Sequence, residues 1–225
     1  MYRTYLSKKN HSAHYFYGAA VIVCLPFLLL LWGTVCHQAA LTAMDYQWGH
    51  YIYQLRSPQW TPFVIGVTTI GNVWPQTILT AIFAVGLWWM NERYYAQYLA
   101  WAMFLGALLL NGGIKQLVAR IRPTEVTHLI DQGGYSFPSG HAMGMTILCS
   151  MLLFIIFQKV QTITAKMIWT VILVGLTLAI ACSRIYLGVH FVSDVIAGIS
   201  LGLSFSLLFM GSSKKRHKYR INSPY

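Results

Sequence analysis

Long apolar runs separated by short polar links dominate the chain. Six of them stand out, at Tyr17–Cys36, Asn72–Met90, Tyr94–Gly113, His141–Gln158, Lys166–Arg184 and Phe191–Met210. Each is close to the roughly 20 residues with which an α-helix crosses the hydrocarbon of a bilayer. The runs are continuous rather than alternating, which favours helices over a barrel. The expected fold is therefore all-α: one polytopic membrane domain over residues 1–225 with about six transmembrane helices. The segment Ala39–Gly71 between the first two runs contains "DYQWGHYIYQLRSPQWTPF". Its Trp and Tyr residues favour the membrane interface, so one or two interfacial helices are expected here, broken near Ser57-Pro58. The first run begins late, is long, and lacks a small-residue cleavage site, so it reads as a retained span rather than a signal peptide.

Composition sharpens this picture. The 225 residues are 56% hydrophobic and 9% charged, where a soluble domain carries about 25% charged residues. The formal charge of +11 would suit nucleic acid if it were spread over a surface, but it is confined to links. Lys214, Lys215, Arg216, Lys218 and Arg220 follow the last run within the tail 211–225; Arg3, Lys8 and Lys9 precede the first; Arg93, Lys159 and Lys166 occupy links between runs. With an even number of spans these segments share one side, which the positive-inside rule makes cytoplasmic. The charge thus reads as topology with contact to anionic lipids, and nucleic acid is not an expected partner. Cys24, Cys36, Cys149 and Cys182 lie in or beside apolar runs without metal-ligand spacing. They read as small buried hydrophobes rather than a disulfide framework.

The chemistry lies in ionisable groups at the other ends of the spans, where charge is costly and marks function by default. In "KQLVARIRP", Lys115 and Arg122 are seven apart, about two helical turns, and are expected on one face as an oxyanion clamp before Pro123 stops the helix. Arg120 lies between them at another angle and is expected to be a snorkelling or loop charge whose removal is mild. In "PSGH", Ser139 can cap a helix beginning near His141, and Gly140 lets an anion approach the free N–H groups there. In "SRIYLGVHFVSD", His190 and Asp194 are four apart and are expected as neighbours on one helical face. Asp194 would fix the imidazole tautomer, leaving the other nitrogen free as nucleophile or base. Arg184 ends the preceding span. All three clusters fall on the side opposite the basic tail. Three cations, two histidines, a carboxylate and a helix N-terminus in one place suit a polyanion, and phosphoryl chemistry in particular.

These motifs, in this order, resemble the type 2 phosphatidic acid phosphatases (the PAP2 family): K-x6-R-P at Lys115–Pro123, PSGH at Pro138–His141, and S-R-x5-H-x3-D at Ser183–Asp194. The resemblance covers about residues 111–198. In size and span layout the chain looks like bacterial members acting on phosphatidylglycerophosphate or undecaprenyl pyrophosphate. The resemblance implies that His190 attacks phosphorus to form a phosphohistidine, that Asp194 orients it, and that His141 protonates the leaving group and then activates water. It implies that Lys115, Arg122 and Arg184 hold the phosphoryl oxygens, with hydrogen bonds from Ser139 and Gly140, and that no metal or other cofactor is required. Glu125 and Asp131 are isolated carboxylates, expected to be solvated in a loop rather than to hold Mg²⁺.

The expected substrate is an amphiphile with its phosphate in the cationic pocket and its tails in lipid: phosphatidylglycerophosphate, phosphatidate, undecaprenyl pyrophosphate or a lipid A phosphate. The motifs contact phosphate and do not separate these. The loop Tyr46–Trp60 reads chiefly as an interfacial anchor. Two other functions fit the same residues: phosphoryl transfer to a second lipid, and anion binding or transport without turnover. The constellation also resembles the soluble vanadium haloperoxidases, which the apolar spans argue against.

Overall fold

Every apolar run folds as helix. The computed structural model describes residues 2–222, and side chains from 13 to 213. Its helices are α1 (Tyr2–Val35), α2 (Ala39–Gln54), α3 (Thr61–Ile70), α4 (Val73–Trp89), α5 (Arg93–Ala102), α6 (Asn111–Val118), α7 (Gly140–Lys159), α8 (Ile163–Tyr186) and α9 (Val192–Asn222). A π-helical stretch, Met103–Leu110, joins α5 to α6. Among the described residues there is no strand.

Five helical stretches are long and apolar enough to cross a membrane: Ala13–Val35, Arg93–Val118, Gly140–Lys159, Ile163–Tyr186 and Val192–Ser213. The count reaches six when α3 and α4, bent by 52° at Gly71 and Asn72, form one crossing. The protein is thus an all-α, multi-pass membrane protein. The segment after α1 forms α2 and α3, broken at residues 55–60 around Ser57-Pro58. The basic side chains from Lys214 onward, and those of Arg3, Lys8 and Lys9, lie outside the residues whose side chains are described. Only Cys149 of the four cysteines is buried; Cys24 is half-buried, and Cys36 and Cys182 are exposed. The last two therefore face outward, contrary to the expected burial.

α7 is the most enclosed crossing and packs against both α8 and α9. Helices in lipid associate by close packing and polar contacts rather than by a hydrophobic drive. Gly198 and Gly202 on α9 supply the closeness. A Cβ at Gly198 would sit 2.7 Å from the Ser139 carbonyl, and one at Gly202 2.8 Å from the Met143 carbonyl. This approach lets the Ser139 N–H donate to the Asp194 carbonyl at 3.0 Å, locking the start of α7 to the start of α9.

Serines join α1 to α9. Pro26 interrupts the α1 ladder, and Ser200 fills the gap: Phe27 N–H donates to Ser200 Oγ at 3.1 Å, and the Ser200 hydroxyl donates to the Val23 carbonyl. The Ser204 hydroxyl donates to the Ala20 carbonyl at 2.9 Å. In hydrocarbon each such group must be satisfied within the protein. At one end of the bundle, Lys159 at the end of α7 pairs with Glu92 ahead of α5. At the other end, the start of α7, the end of α8 and the start of α9 converge under α2.

Candidate active site

His190 sits in the link between α8 and α9, with 2% of its surface exposed. Its Nδ1–H donates to Asp194 Oδ2 at 3.3 Å. Its Nε2 accepts from Arg122 Nη1 at 3.1 Å. A carboxylate only accepts and a guanidinium only donates, so these partners fix the Nδ1–H tautomer and leave the Nε2 lone pair facing the cations. Burial pushes the imidazole pKa down to about 3, against the opposing pull of Asp194. The ring is therefore neutral near pH 7.

The two residues do not share a helical face as their spacing suggests, because α9 begins only at Val192. They meet because Asp194, in the first turn, folds back on the helix entrance and accepts from the Phe191 N–H at 2.9 Å. This is the logic of a capping box, in which an acid three residues in satisfies the first donor. The Ser136 hydroxyl also donates to Asp194 Oδ2.

Lys115 and Arg122 also meet without a shared helix. α6 ends at Val118, and Ala119 takes a left-handed conformation (φ 48°) that turns the chain into an irregular link. Lys115 Nζ donates to the carbonyls of Tyr135 (2.6 Å) and Ser136 (3.3 Å). Arg122 uses all five N–H groups: Nε to the Gly134 carbonyl at 3.0 Å, Nη2 to those of Gly133 and Tyr135 at 3.0 and 3.2 Å, and Nη1 to the Val189 carbonyl at 2.6 Å and to His190. Arg184, in the last turn of α8, is fully enclosed. Its Nη1 donates to Thr68 Oγ1 at 2.9 Å and its Nη2 to Gln132 Oε1 at 2.5 Å, while Nε is buried without a partner.

The N-terminus of α7 is as expected. Ser139 caps it, with Oγ accepting from the Ala142 N–H at 3.5 Å, and Gly140 opens the helix. His141 follows, and its Nε2–H donates to Asn72 Oδ1 at 2.8 Å. Asn72 lies at the bend between α3 and α4, and nothing in its sequence context marks it.

Arg120 is not a loop charge. Its Nη1 donates to Asp194 Oδ1 and its Nη2 to Asp45 Oδ2, both at 2.7 Å. Its place on a helix was the wrong premise, since the chain at Arg120 has left α6. Asp45, on α2, was overlooked; the available signal was that it is one of five acids in the chain, set in an apolar segment. Glu125 is not simply solvated either, because it accepts from the Tyr46 hydroxyl at 2.8 Å. That hydrogen bond holds the Tyr46 pKa above its usual value.

A cavity of about 530 Å³ joins these groups to the membrane. Its polar head is lined by Lys115, Arg122, Gln132, Gly140, His141 and His190. Ser139 and Arg184 lie outside that lining, although Arg184 bonds to Gln132. The cavity continues between α4 and the π-helical stretch, past Thr77, Ala81, Ala84, Phe104 and Ala107. A cationic head with two histidines above an apolar cleft suits an amphiphile whose polar end is an anion.

Comparison with known proteins agrees. A family model described as the PAP2 superfamily matches residues 95–218. The chain is 27% identical over 199 residues to phosphatidylglycerophosphatase B of Bacillus subtilis, covering 88% of this chain and 97% of that one. It is 31% identical over 147 residues to the lipid A 4'-phosphatase of Porphyromonas gingivalis, covering 60% and 59% of the two chains. The crystal structure of a transmembrane PAP2-type phosphatidylglycerolphosphate phosphatase from Bacillus subtilis superimposes with a TM-score of 0.79 at 25% identity, over 92% of this chain and 98% of that one.

Proposed function

Because the chain belongs to the PAP2 superfamily and is a membrane lipid phosphatase, we propose that it hydrolyses its substrate through a phosphohistidine on His190. The carrying observation is the His190 Nε2 lone pair, directed by Asp194 toward a cavity head lined by Lys115 and Arg122. In the first step Nε2 attacks phosphorus, the phosphorus–oxygen bond to the lipid breaks, and His141 gives its proton to the departing oxygen. In the second step water attacks phosphorus, the phosphorus–nitrogen bond breaks, and His141 takes the proton from that water. Inorganic phosphate leaves, and both histidines return to their starting states. When the substrate is a pyrophosphate, the departing oxygen belongs to the remaining phosphate.

Lys115 and Arg122 hold the equatorial oxygens as charge builds, and the N–H groups at Ser139 and Gly140 add to them. Arg184 contributes through its unpartnered Nε and through Gln132. Fixed cations supply the charge stabilisation that a metal supplies elsewhere, so the reaction is metal-independent. The whole chain acts as one domain. Lys159, Lys166 and the basic tail support cytoplasmic termini and a site on the outer face of the cell membrane. The long match to a phosphatidylglycerophosphatase supports phosphatidylglycerophosphate as the first candidate substrate, with phosphatidate and undecaprenyl pyrophosphate next.

Phosphate release by purified wild type and His190→Ala tests this, with EDTA present. The panel holds these three lipids, a lipid A phosphate and a soluble phosphomonoester. Release from a lipid that vanishes in His190→Ala is the expected result. Equal release by both proteins would remove His190 as nucleophile.

A further inference from the structure

One buried ionic array beside His190 has no part in the two chemical steps. Arg120 bridges two fully enclosed carboxylates, Asp194 on α9 and Asp45 on α2. Its Nη1 also donates to Ser193 Oγ at 2.7 Å. Asp45 in turn accepts from the Ser193 N–H at 2.8 Å and the Ser193 hydroxyl at 2.6 Å. The guanidinium lies over the Phe191 ring, 4.1 Å from its centroid. Neither Arg120 nor Asp45 lines the cavity head.

The geometry divides the work of the Asp194 carboxylate. Oδ1 is committed to Arg120, so Oδ2 is left for Ser136, the Phe191 N–H and His190 Nδ1. Without the guanidinium, two enclosed carboxylates would face each other without a cation, a costly arrangement that invites protonation or rotation. Either response removes the fixed acceptor from His190. A lysine is no substitute, because one ammonium does not reproduce a planar fork spanning two carboxylates. Asp45 fixes the far side of the fork. It is carried by α2, a helix that holds none of the motif residues.

We infer that Arg120 and Asp45 are positioning residues for the His190–Asp194 pair, and that α2 is thereby a working part of the catalytic centre. This rests on His190 being the nucleophile. The array acts on the rate of attack and not on phosphate binding.

The test uses full-length protein in detergent with phosphatidylglycerophosphate, and wild type and His190→Ala as controls. Arg120→Ala should lower kcat by about 100-fold while KM stays within about threefold, as for loss of a group that orients a catalytic imidazole. Millimolar guanidinium chloride should restore about tenfold of the loss by refilling the fork, whereas equal sodium chloride should not. Asp45→Asn keeps an acceptor oxygen for the Ser193 N–H and should lower kcat by about tenfold. Adding it to Arg120→Ala should cost less than about threefold more, because both act through one carboxylate.

An unchanged kcat in Arg120→Ala overturns the inference. So does a raised KM at constant kcat, which would make Arg120 a phosphate ligand. So do fully additive losses, or a loss that follows the melting temperature and ignores guanidinium. If Arg120→Ala does not fold, Asp45→Asn decides alone, and an unchanged kcat there is fatal. Wild-type release that persists in His190→Ala would instead sink the nucleophile assignment, a separate failure.

Discussion

Arg122 Nη1 donates to His190 Nε2 at 3.1 Å, so the nitrogen assigned to attack phosphorus is already held by the cation assigned to bind it. Every other N–H of Arg122 is committed to a backbone carbonyl of Gly133, Gly134, Tyr135 or Val189. Engaging a phosphoryl oxygen therefore requires an exchange at Nη1, which frees the nucleophile in the same motion.

Arg122→Lys should lose both tasks. A lysine carries three donors on a flexible stem and does not hold three loop carbonyls and an anion together. The expected outcome in steady-state kinetics is a fall in kcat/KM of about 100-fold, or roughly 2.7 kcal/mol of transition-state stabilisation. Retention within about threefold would take Arg122 out of the site.

The pH dependence has a definite sign. Burial holds the folded His190 pKa at about 3, below the ordinary value near 6.5. The neutral ring is favoured by the fold, so its contribution to stability is complete above about pH 6.5 and declines as pH falls toward 3. Nitrogen NMR of the ring should show an unprotonated Nε2 from about pH 5 to 8, with no titration. A titration near pH 6.5 would contradict the buried, neutral nucleophile.

Gly198→Ala should damage the site from a distance. The new methyl would meet the Ser139 carbonyl at 2.7 Å and push the start of α7 away from Asp194. Overpacking of this kind costs about 1–3 kcal/mol. A lower melting temperature and slower phosphate release are expected together. Gly175→Ala is the control, since an added Cβ there meets nothing within 4 Å.

The cleft between α4 and the π-helical stretch should sort substrates by tail. Ala84→Phe narrows it without touching the cationic head. KM should rise about tenfold for a long-chain lipid phosphate and stay unchanged for a soluble phosphomonoester, since only the former occupies the cleft. Equal effects on both substrates would place the tails elsewhere.

The crossings were legible because each is a continuous apolar run, and the cationic head because three motifs end on one side of those runs. The reasons given for two pairings were nevertheless wrong. Lys115 and Arg122 meet through a left-handed Ala119, a conformation that nothing in an alanine announces. His190 and Asp194 meet because a carboxylate folds back on a helix entrance, not because of helical spacing. Arg120 was misassigned for a related reason: its partners Asp45 and Asp194 lie 75 and 74 residues away. Such pairs leave no local pattern, and only the scarcity of acids hinted that each would need a cation. Asn72 left even less, because its role appears only once the α3–α4 bend brings it to His141.

The π-helical stretch gives the third crossing a property that its length alone does not describe. Met103–Leu110 is wound more loosely than an α-helix, and it lies directly before Asn111 and Lys115. Restoring the ordinary pitch by removing one residue would turn everything downstream by about 100° about the helix axis. Lys115 would swing from the cationic head toward lipid while the crossing shortened by only about 1.5 Å. In this segment an insertion or deletion works as a rotary dial for a phosphate ligand, and conserving the hydropathy of the span would not conserve the enzyme.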